Sequence, residues 1–381
     1  MEKNNKTLNV PNLRFPEFSG EWKAVPLSTI ADIIGGGTPD TSVDEYWGGN
    51  IQWFTPSEIG KGKYAYLSDR TITEAGLKNS SAKLLPQGTV LLSTRATIGE
   101  CSIATTECTT NQGFQSLVAK ENNVSSEFLY YIVAKIKREM LRRSCGSTFL
   151  EISANELKKI HTNIPSKAEQ EKLVSLLSLI DQRIETQKKI IEKYESLIRG
   201  LYHSIFNNPS SIYYLQLREV VSVVKGKQVN GEELFEEGKY YVMNGGTEPS
   251  GYLNEYNTPA DTISISEGGN SCGYVQYNKE PFWSGGHCYS LMPKSENICY
   301  RFLYHFLKYK ENDIMALRIG SGLPNIQKKD IERFEVQLPS LERQMEVTTL
   351  LDAISAKLDL EKQLHHVWQS QKQYLLGSLF I

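Results

Sequence analysis

No stretch of this 381-residue sequence approaches the roughly 20 consecutive apolar residues that span a bilayer. The opening, MEKNNKTLNV, is polar and lacks the apolar stretch of a signal peptide. We therefore expect a cytoplasmic protein that has no membrane association. The six cysteines fit this expectation, because no two of them have the two-residue gap of a metal knuckle or a redox motif. We predict reduced thiols and no metal site.

Catalytic signatures are also missing. The sequence has no GxxxxGK(S/T) loop for ATP. It has no Asn/Asp-Pro-Pro-aromatic tetrad of an amino-methyltransferase, and the nearest segment is NNPS at 207–210. Asp40, Asp44 and Glu45 are not followed closely by the Glu-x-Lys pattern of a nuclease. Together these absences favour a binding module over an enzyme and predict no cofactor in this chain.

An excess of positive charge is absent as well. The net charge is −2, from 42 basic and 44 acidic side chains. A DNA-binding domain usually carries a strongly basic surface, so this balance counts against the simplest form of DNA binding. It leaves room for local basic patches, and it predicts that partner subunits supply much of the charge that binds phosphates.

What the sequence does contain is a long internal repeat. Residues 146–206, which open GSTFLEIS, align without a gap with residues 320–380, which open GSGLPNIQ. A weaker match extends upstream, where 112–120 corresponds to 285–294. A period this long predicts duplicated domains and not a solenoid of small repeats. The length is also that of two or three domains.

Each copy ends in a predicted helix of about 40 residues, which is about 60 Å long at 1.5 Å per residue. Ser166 is the predicted N-cap of the first helix, with Glu169 as its capping-box partner, and Ser340 caps the second. Apolar residues recur at alternating steps of three and four, which indicates a heptad seam. The seam residues that we expect to pair the helices or to contact partners are Leu177, Ile180, Ile184, Ile191, Tyr194, Ile198, Leu201, Leu351, Ile354, Leu358, Trp368 and Leu375.

An apolar stripe of this length needs a surface to pack against. The other copy is the first candidate, and an antiparallel pair would set two globular units at opposite ends of a rod. The alternative is that each helix lies on the core of its own domain. The second seam also contains Glu361, His365 and Lys372, which predicts fraying or a third helix from a partner. The residues before each long helix predict α+β units of short strands and turns, with helices at 125–143 and 300–311.

The order of these motifs resembles the specificity (S) subunits of Type I restriction–modification enzymes over essentially the full chain. The segments that carry the resemblance to a first recognition domain are 9–33, 35–59, 94–99 and 111–117, and those for a second are 244–257, 266–275 and 282–291. IPSKAEQEKLVSLLSLIDQRIETQ (164–187) and LPSLERQMEVTTLLDAISAKLD (338–359) are similar to the family's two spacer regions.

The resemblance implies an α+β fold with two target-recognition domains in a pseudo-two-fold arrangement, separated by an antiparallel pair of long coiled-coil helices. The implied domains are 1–165 and 208–339 for recognition, with spacer helices at 166–207 and 340–381. It implies a non-catalytic subunit in which each recognition domain reads one half of a bipartite site in double-stranded DNA. The two domains differ in sequence, so the site should be asymmetric.

The resemblance also implies partners. Two modification (methyltransferase) subunits would dock on the helices and bring S-adenosylmethionine. Restriction (endonuclease and translocase) subunits would bring ATP and Mg²⁺. The paired helices would act as a ruler that fixes the gap between the two half-sites.

Reading of bases needs side chains that offer paired donors and acceptors, such as Arg, Lys, Asn and Gln. The candidates for DNA contact are Thr38, Lys61, Lys63, Arg95, Asn111, Gln112 and Gln115 in the first domain and Lys225, Lys227, Gln228, Asn244, Asn270 and His287 in the second. The alternative role for most of them is an ordinary surface salt bridge. For the asparagines beside glycines it is turn geometry.

Two other classes of protein stay open from the sequence. One is a coiled-coil scaffold or carbohydrate-binding protein without a role on DNA, and salt-sensitive retention of DNA by the assembled complex would argue against it. The other is a methyltransferase or nuclease with diverged motifs, which binding of S-adenosylmethionine or a metal by the isolated chain would reveal.

Overall fold

The duplicated sequence folds into two compact units. The computed structural model describes residues 9–146, 150–207, 213–294, 298–320, 322 and 324–381. The polar start at 1–8, parts of both repeat openings (147–149, 321 and 323) and the predicted domain boundary at 208 lie outside these residues. Unit 1 comprises Met1–Lys189 and Gln363–Ile381, and unit 2 comprises Ile190–Lys362. No helix in the described part of the chain is both long and apolar enough to cross a membrane.

Unit 1 is built from short strands, as its turn-rich sequence predicts. Its elements are β1 (Lys23–Pro26), α1 (Leu27–Ile30), β2 (Ala31–Gly35), β3 (Trp47–Phe54), β4 (Tyr64–Ala65), β5 (Arg70–Ile72), α2 (Glu74–Lys78), β6 (Val90–Leu92), β7 (Cys101–Ala104), β8 (Cys108–Thr110), β9 (Gln115–Ala119), α3 (Ser126–Arg143), α4 (Ala154–Lys159), β10 (His161–Ile164) and the start of α5 (Lys167–Asn207). The strands form a sheet of order β2-β9-β6-β7-β4, a second sheet of order β5-β3-β8, and the pair β1-β10.

Unit 2 repeats this plan. Its elements after α5 are β11 (Tyr213–Gln216), α6 (Leu217–Val220), β12 (Val221–Lys225), β13 (Tyr240–Met243), β14 (Tyr252–Leu253), β15 (Thr262–Ser266), β16 (Val275–Asn278), β17 (Trp283–Ser284), β18 (Cys288–Pro293), α7 (Tyr300–Tyr309), α8 (Glu311–Ala316), α9 (Lys328–Arg333), β19 (Glu335–Leu338) and α10 (Leu341–Leu379). Its sheets have the orders β12-β18-β15-β16 and β14-β13-β17, with the pair β11-β19. The strands therefore correspond one to one with those of unit 1, except that β4 has no counterpart in the order of the larger sheet.

The helices predicted at 125–143 and 300–311 are α3 and α7. In the larger sheet of each unit, one central strand is wholly buried, because it is covered on both faces. In unit 1 this is β6, and in unit 2 it is β15. A strand buried on both faces need not alternate apolar and polar residues, and β6 (VLL) does not, whereas β15 (TISIS) alternates although it is buried throughout. The α+β architecture predicted from the sequence is confirmed.

The long helices begin in the same way in both copies. The backbone N–H of Glu169 donates to Ser166 Oγ at 3.4 Å, and that of Arg343 donates to Ser340 Oγ at 3.4 Å, so both predicted N-caps are present. The predicted capping box is wrong, because the Glu169 side chain is used elsewhere. Its carboxylate accepts two hydrogen bonds of 2.8 Å from Arg14 and one of 3.2 Å from Trp22 Nε1.

The end of one long helix closes the core of each unit. In unit 1 the Phe380 ring, directly after α10, stacks on Phe128 of α3 with centroids 5.5 Å apart. In unit 2 the Phe206 ring, at the end of α5, packs edge-on against Phe302 of α7 at 5.6 Å. Phe128 and Phe302 are 174 positions apart, and so are Phe206 and Phe380. Equivalent rings therefore meet in both units, stacked in unit 1 and edge-on in unit 2, and each unit uses the helix end that belongs to the other repeat.

The helices pair antiparallel within unit 1. Asp181 Oδ1 lies 2.6 Å from Lys372 Nζ, and the Arg183 guanidinium lies 5.9 Å from the centre of the Trp368 ring. Residues later in α5 thus meet residues earlier in α10. Lys372, predicted to fray or to face a partner helix, is instead 20% exposed and ion-paired within the unit.

The predicted seam is the inward side of both helices. All of its members are buried or half-buried, namely Leu177, Ile180, Ile184, Ile191, Tyr194, Ile198, Leu201, Leu351, Ile354, Leu358, Trp368 and Leu375. In unit 2, Glu195 and Lys362 form an ion pair of 2.8 Å across the helix pair. Pairing and packing on a domain core, which the sequence offered as alternatives, occur together, since Leu177 also belongs to the core of unit 1 and Leu351 to that of unit 2.

Candidate nucleic-acid interface

The turn between β6 and β7 presents Arg95 at the surface of unit 1. Arg95, Ala96 and Thr97 are all exposed, and Ala96 has a φ of 62°, a left-handed conformation that costs energy for any residue other than glycine. The buried Ser93 side chain stabilises the turn, because its hydroxyl donates to Arg95 O at 3.1 Å and lies 2.9 Å from Thr97 Oγ1. The Arg95 side chain is 47% exposed, with Glu151 at 3.8 Å. An exposed ion pair this long is weak, so the guanidinium is available to a ligand.

Two further segments meet this turn, and we call 36–38, 94–97 and 111–115 loop cluster 1. The N–H of Gly37 donates to Thr110 O at 2.8 Å, and that of Thr94 donates to Gly113 O at 2.9 Å. Gly36 is required at this junction, because a Cβ there would lie 2.1 Å from Asn111 O. The strand order thus brings together segments that are up to about 80 residues apart in sequence.

Loop cluster 1 contains five of the seven candidates from the first domain. The Thr38 hydroxyl donates to the side-chain carbonyl of Gln112; Thr38 is half-buried and Gln112 is exposed. Gln115 begins β9 and is half-buried beside Gly35. Asn111 has a structural role, because its Oδ1 accepts the N–H of Gly113 at 2.8 Å. This contact is turn geometry, the role that the sequence offered as the alternative for Asn244 and Asn270 but not for Asn111.

Lys61 and Lys63 lie apart from this cluster, in the loop before β4. Lys61 is exposed and lines a groove of about 1460 Å³ within unit 1. Lys63 is only 7% exposed, and its ammonium donates to Ser178 Oγ at 2.7 Å and to the Tyr131 hydroxyl at 3.3 Å. The structure therefore uses Lys63 to hold α3 and α5 to the sheet and does not present it at the surface.

The equivalent loops of unit 2 contain all six candidates from the second domain. We call 225–228, 244–245, 267–270 and 285–287 loop cluster 2. The N–H of Lys227 donates to Ser284 O at 2.8 Å, as Gly37 does to Thr110 in unit 1. Gln228 lies over Gly286, where a Cβ would be 2.2 Å from its Oε1, so this glycine makes room for the amide. Lys227 and Gln228 are exposed.

Asn244, Asn270 and His287 differ in what they contact. Asn244 Oδ1 accepts the N–H of His287 at 3.1 Å, so Asn244 supports the loop as Asn111 does in unit 1. Asn270 is exposed at a turn tip, after Gly269 at a φ of 76°. The His287 ring is 60% exposed.

Sequence reasoning missed Glu267, which lies at the centre of loop cluster 2. This residue is 5% exposed, and its Oε1 accepts the Lys225 ammonium at 2.6 Å and the Tyr289 hydroxyl at 2.9 Å. Burial raises the pKa of Tyr289, so the hydroxyl keeps its proton for this bond. The signal that could have found Glu267 is a carboxylate at the end of the alternating run TISIS, directly before two glycines. Within the described part of the chain, no group of His, Cys, Asp or Glu side chains could hold a metal ion.

The two units also match known proteins. Residues 19–196 and 209–367 each match the family described as Type I restriction modification DNA specificity domain. The chain is 30% identical over 362 residues to the Type I restriction enzyme MjaIX specificity subunit of Methanocaldococcus jannaschii, covering 84% of this chain and 83% of that protein. It is 25% identical over 363 residues to the EcoprrI specificity subunit of Escherichia coli, covering 87% and 86%.

Solved structures show the same fold. The crystal structure of a Type I restriction–modification S subunit from M. genitalium superposes with a TM-score of 0.70 at 22% identity, covering 98% of this chain and 99% of that one. A chain from a structure on complex assembly and conformational transition of a Type I system gives a TM-score of 0.56 at 16% identity, covering 94% and 97%.

Proposed function

Because the chain belongs to the family of Type I restriction–modification DNA specificity domains, we propose that it is a non-catalytic subunit that reads a bipartite, asymmetric site in double-stranded DNA. Each recognition domain, 1–165 and 208–339, reads one half of the site. Two modification subunits carry S-adenosylmethionine, and restriction subunits carry ATP and Mg²⁺. The complex works in the cytoplasm, and this chain holds no cofactor.

One observation carries the proposal. Apart from β4, the two units have equivalent strand orders, yet the loops at equivalent positions expose different side chains. The turn after β6 exposes Arg95, and the turn after β15 exposes Asn270. A guanidinium and an amide have different hydrogen-bonding patterns, and they suit different bases in the major groove. Two copies of one scaffold with different exposed residues are what reading of an asymmetric site requires.

The contacts divide into readers and supports. The proposed readers and phosphate contacts are Thr38, Lys61, Arg95, Gln112, Gln115, Lys225, Lys227, Gln228, Asn270 and His287. Asn111 and Asn244 hold the loops in place, and their replacement is expected to weaken reading indirectly. Lys63 is left out of the contact set, because its ammonium is engaged inside unit 1. Arg95 is the strongest candidate for a guanine, because a guanidinium can contact both O6 and N7.

We propose that the long helices set the gap between the half-sites. α5 has 41 residues and α10 has 39, so each is about 60 Å long at 1.5 Å per residue. Readers on one face of DNA are about 34 Å apart for one helical turn. Inserting one helical turn into both helices should lengthen the gap and leave both half-sites unchanged. An unaltered gap in such a variant would show that the helices are not the ruler.

The outward side of α10 is the proposed docking surface for the modification subunits. Met345 and Leu360 in unit 2 and Val367 and Tyr374 in unit 1 are exposed, whereas the seam residues of α10 are buried or half-buried. Exposed apolar side chains on a helix that already has a partner indicate a further protein contact. Val367→Asp should reduce assembly with the modification subunit in co-purification, whereas Gln369→Glu, at an exposed position nearby, should not.

Single-molecule sequencing of DNA tests the proposal directly. Cells would co-express this chain with its modification subunit, and methylated adenines would be mapped. Methylation at one asymmetric motif of two parts with a fixed gap is expected. Exchange of 208–339 for the corresponding domain of another family member should change one half of the motif only. If the complex assembles and binds S-adenosylmethionine but methylates no defined motif, the chain is not the reader.

A further inference from the structure

The Glu267 carboxylate in loop cluster 2 is incompletely satisfied. Its Oε1 accepts from Lys225 and Tyr289, but its Oε2 is buried without a hydrogen-bond partner among the described residues. A buried carboxylate oxygen that has lost water and gained no donor is costly. Glu267 Oε2 therefore needs a hydrogen-bond donor, and it lies at the centre of loop cluster 2, which is a proposed reading surface.

His287 offers a donor close to this oxygen. Its Nδ1 lies 3.5 Å from Glu267 Oε2, at the limit of hydrogen-bond distance, and the imidazole is 60% exposed. The His287 backbone is fixed on both sides. Its N–H donates to Asn244 Oδ1 at 3.1 Å, and its carbonyl accepts the N–H of Glu267 at 2.9 Å. A small rotation of the side chain would therefore close the gap without moving the loop.

The charge on the carboxylate is already balanced. Lys225 Nζ lies 2.6 Å from Glu267 Oε1, so the carboxylate already has an ion-pair partner on that oxygen. Glu267 Oε2, in contrast, has no hydrogen-bond donor within the described part of the chain. A neutral His287 with its proton on Nδ1 supplies that donor, and the tautomer of a histidine is set by the bond that one of its nitrogens makes.

We propose that Glu267 fixes His287 in the tautomer that is protonated on Nδ1, so that Nε2 reads DNA as a hydrogen-bond acceptor. The inference rests on the proposed function and specifies one position of one half-site. In the major groove an acceptor pairs with the amino group of adenine N6 or cytosine N4, and it is mismatched against guanine O6 or thymine O4. One base that unit 2 reads in the major groove is therefore adenine or cytosine.

Unit 1 has other residue types at the positions that correspond to Glu267 and His287. The bond from the N–H of Glu267 to the carbonyl of His287 corresponds to the bond from Thr94 to Gly113, at 2.9 Å in both units. The paired positions are thus threonine and glycine in unit 1, which offer neither the carboxylate nor the imidazole. The half-site read by unit 1 serves as an internal control in every experiment on this pair.

Glu267→Gln tests the role of the carboxylate. The glutamine carbonyl can still accept from Lys225 and Tyr289, but its amide now donates toward His287 Nδ1. The imidazole proton then moves to Nε2, and the reading atom becomes a donor. In methylation mapping with the modification subunit, one position of the unit 2 half-site should shift from adenine or cytosine toward guanine or thymine, by roughly tenfold or more in relative methylation. The other half-site should stay the same.

His287→Ala and Glu280→Gln complete the set. His287→Ala should make the same single position degenerate, and because this side chain is exposed the variant should fold even if Glu267→Gln does not. Glu280→Gln removes a charge at an exposed position of unit 2 and should leave the motif intact. If His287→Ala methylates the wild-type motif without loss of preference at any position, the inference is wrong. Absence of any motif for the wild-type chain would instead refute the proposed function.

The tautomer can be measured without DNA. ¹⁵N shifts of the full chain labelled on histidine distinguish Nδ1–H from Nε2–H, and the His287→Ala spectrum identifies the signal among the six histidines. A neutral Nδ1–H form is expected in the wild type and an Nε2–H form in Glu267→Gln. A wild-type Nε2–H signal for His287 would overturn the assignment, whatever motif is methylated.

Discussion

Truncation of the aromatic ring at the end of each long helix should destabilise the unit that the ring closes, and not the unit whose repeat contains it. Phe206 is 6% exposed in unit 2 and Phe380 is 3% exposed in unit 1. Phe380→Ala should loosen unit 1, although residue 380 is far from the bulk of that unit in sequence. Phe206→Ala should loosen unit 2, although Phe206 belongs to the helix that begins in unit 1.

The size of the effect follows from burial. Replacement of a buried phenylalanine by alanine removes its transfer free energy and leaves a cavity, which together cost about 3–5 kcal/mol. The Phe380 ring stacks on Phe128 and packs against Trp22 with centroids 6.0 Å apart, and both of those residues stay behind. Rigid rings relax poorly into a cavity of this kind. We therefore expect the upper half of the range for Phe380→Ala.

Hydrogen exchange of the full chain, followed by mass spectrometry, resolves the two units. A loss of about 3–5 kcal/mol corresponds to roughly 140- to 4,000-fold faster exchange of globally protected amides, since about 1.4 kcal/mol is a factor of ten. Phe380→Ala should accelerate exchange in α3 and β6, and Phe206→Ala should do so in α7 and β15. Tyr374→Ala is the control, because Tyr374 lies on α10 but is 68% exposed. Faster exchange in unit 2 alone after Phe380→Ala would refute the reasoning.

Two further predictions concern buried polar groups. Arg14→Ala leaves the Glu169 carboxylate, 2% exposed, with a single donor, so we expect a loss of about 1–3 kcal/mol in the unfolding of unit 1 by urea. Lys172→Ala, which breaks an exposed ion pair with Glu17 and a contact of 5.3 Å with the Phe15 ring, should change little, and equal effects of the two variants would count against the argument. Burial lowers the pKa of His305 from 6.5, although its hydrogen bond to Asp352 opposes this, so the unfolded chain takes up the proton first. Unit 2 should therefore lose stability as the pH falls below about 6.5. His305→Gln should make this stability depend less on pH when unfolding is followed by the fluorescence of Trp283. Parallel plots of stability against pH for the wild type and the variant would contradict the prediction.

Local patterns in the sequence predicted much of the architecture. The heptad seam needs only the spacing of apolar residues along one helix, and the structure buries or half-buries each of its members. The caps at Ser166 and Ser340 depend on atoms three residues away, so the sequence contains both partners. The duplication itself predicted that the two units share one plan, and the equivalent strand orders confirm this.

Candidate residues for DNA contact were harder to rank, because residue type does not reveal a side chain's partner. Lys63 has the chemistry of a phosphate contact, but the packing of α3 and α5 encloses its ammonium. Glu169 fits a capping box by its spacing, but an arginine 155 positions away takes its carboxylate. A charged side chain orients toward an oppositely charged partner, and contacts between residues far apart in sequence determine where that partner lies.

The sequence by itself determined the repeat, the helix lengths, the seam and the segments that form turns, because each of these depends on residues close along the chain. Tertiary structure decided which segments meet in the two loop clusters, and it decided that each unit is completed by the helix end of the other repeat. It also placed Glu267 beside His287, since the two lie on different loops that the pairing of β15 with β18 brings together. Strand pairing over long separations is fixed by the burial of whole faces, and no local pattern contains that information.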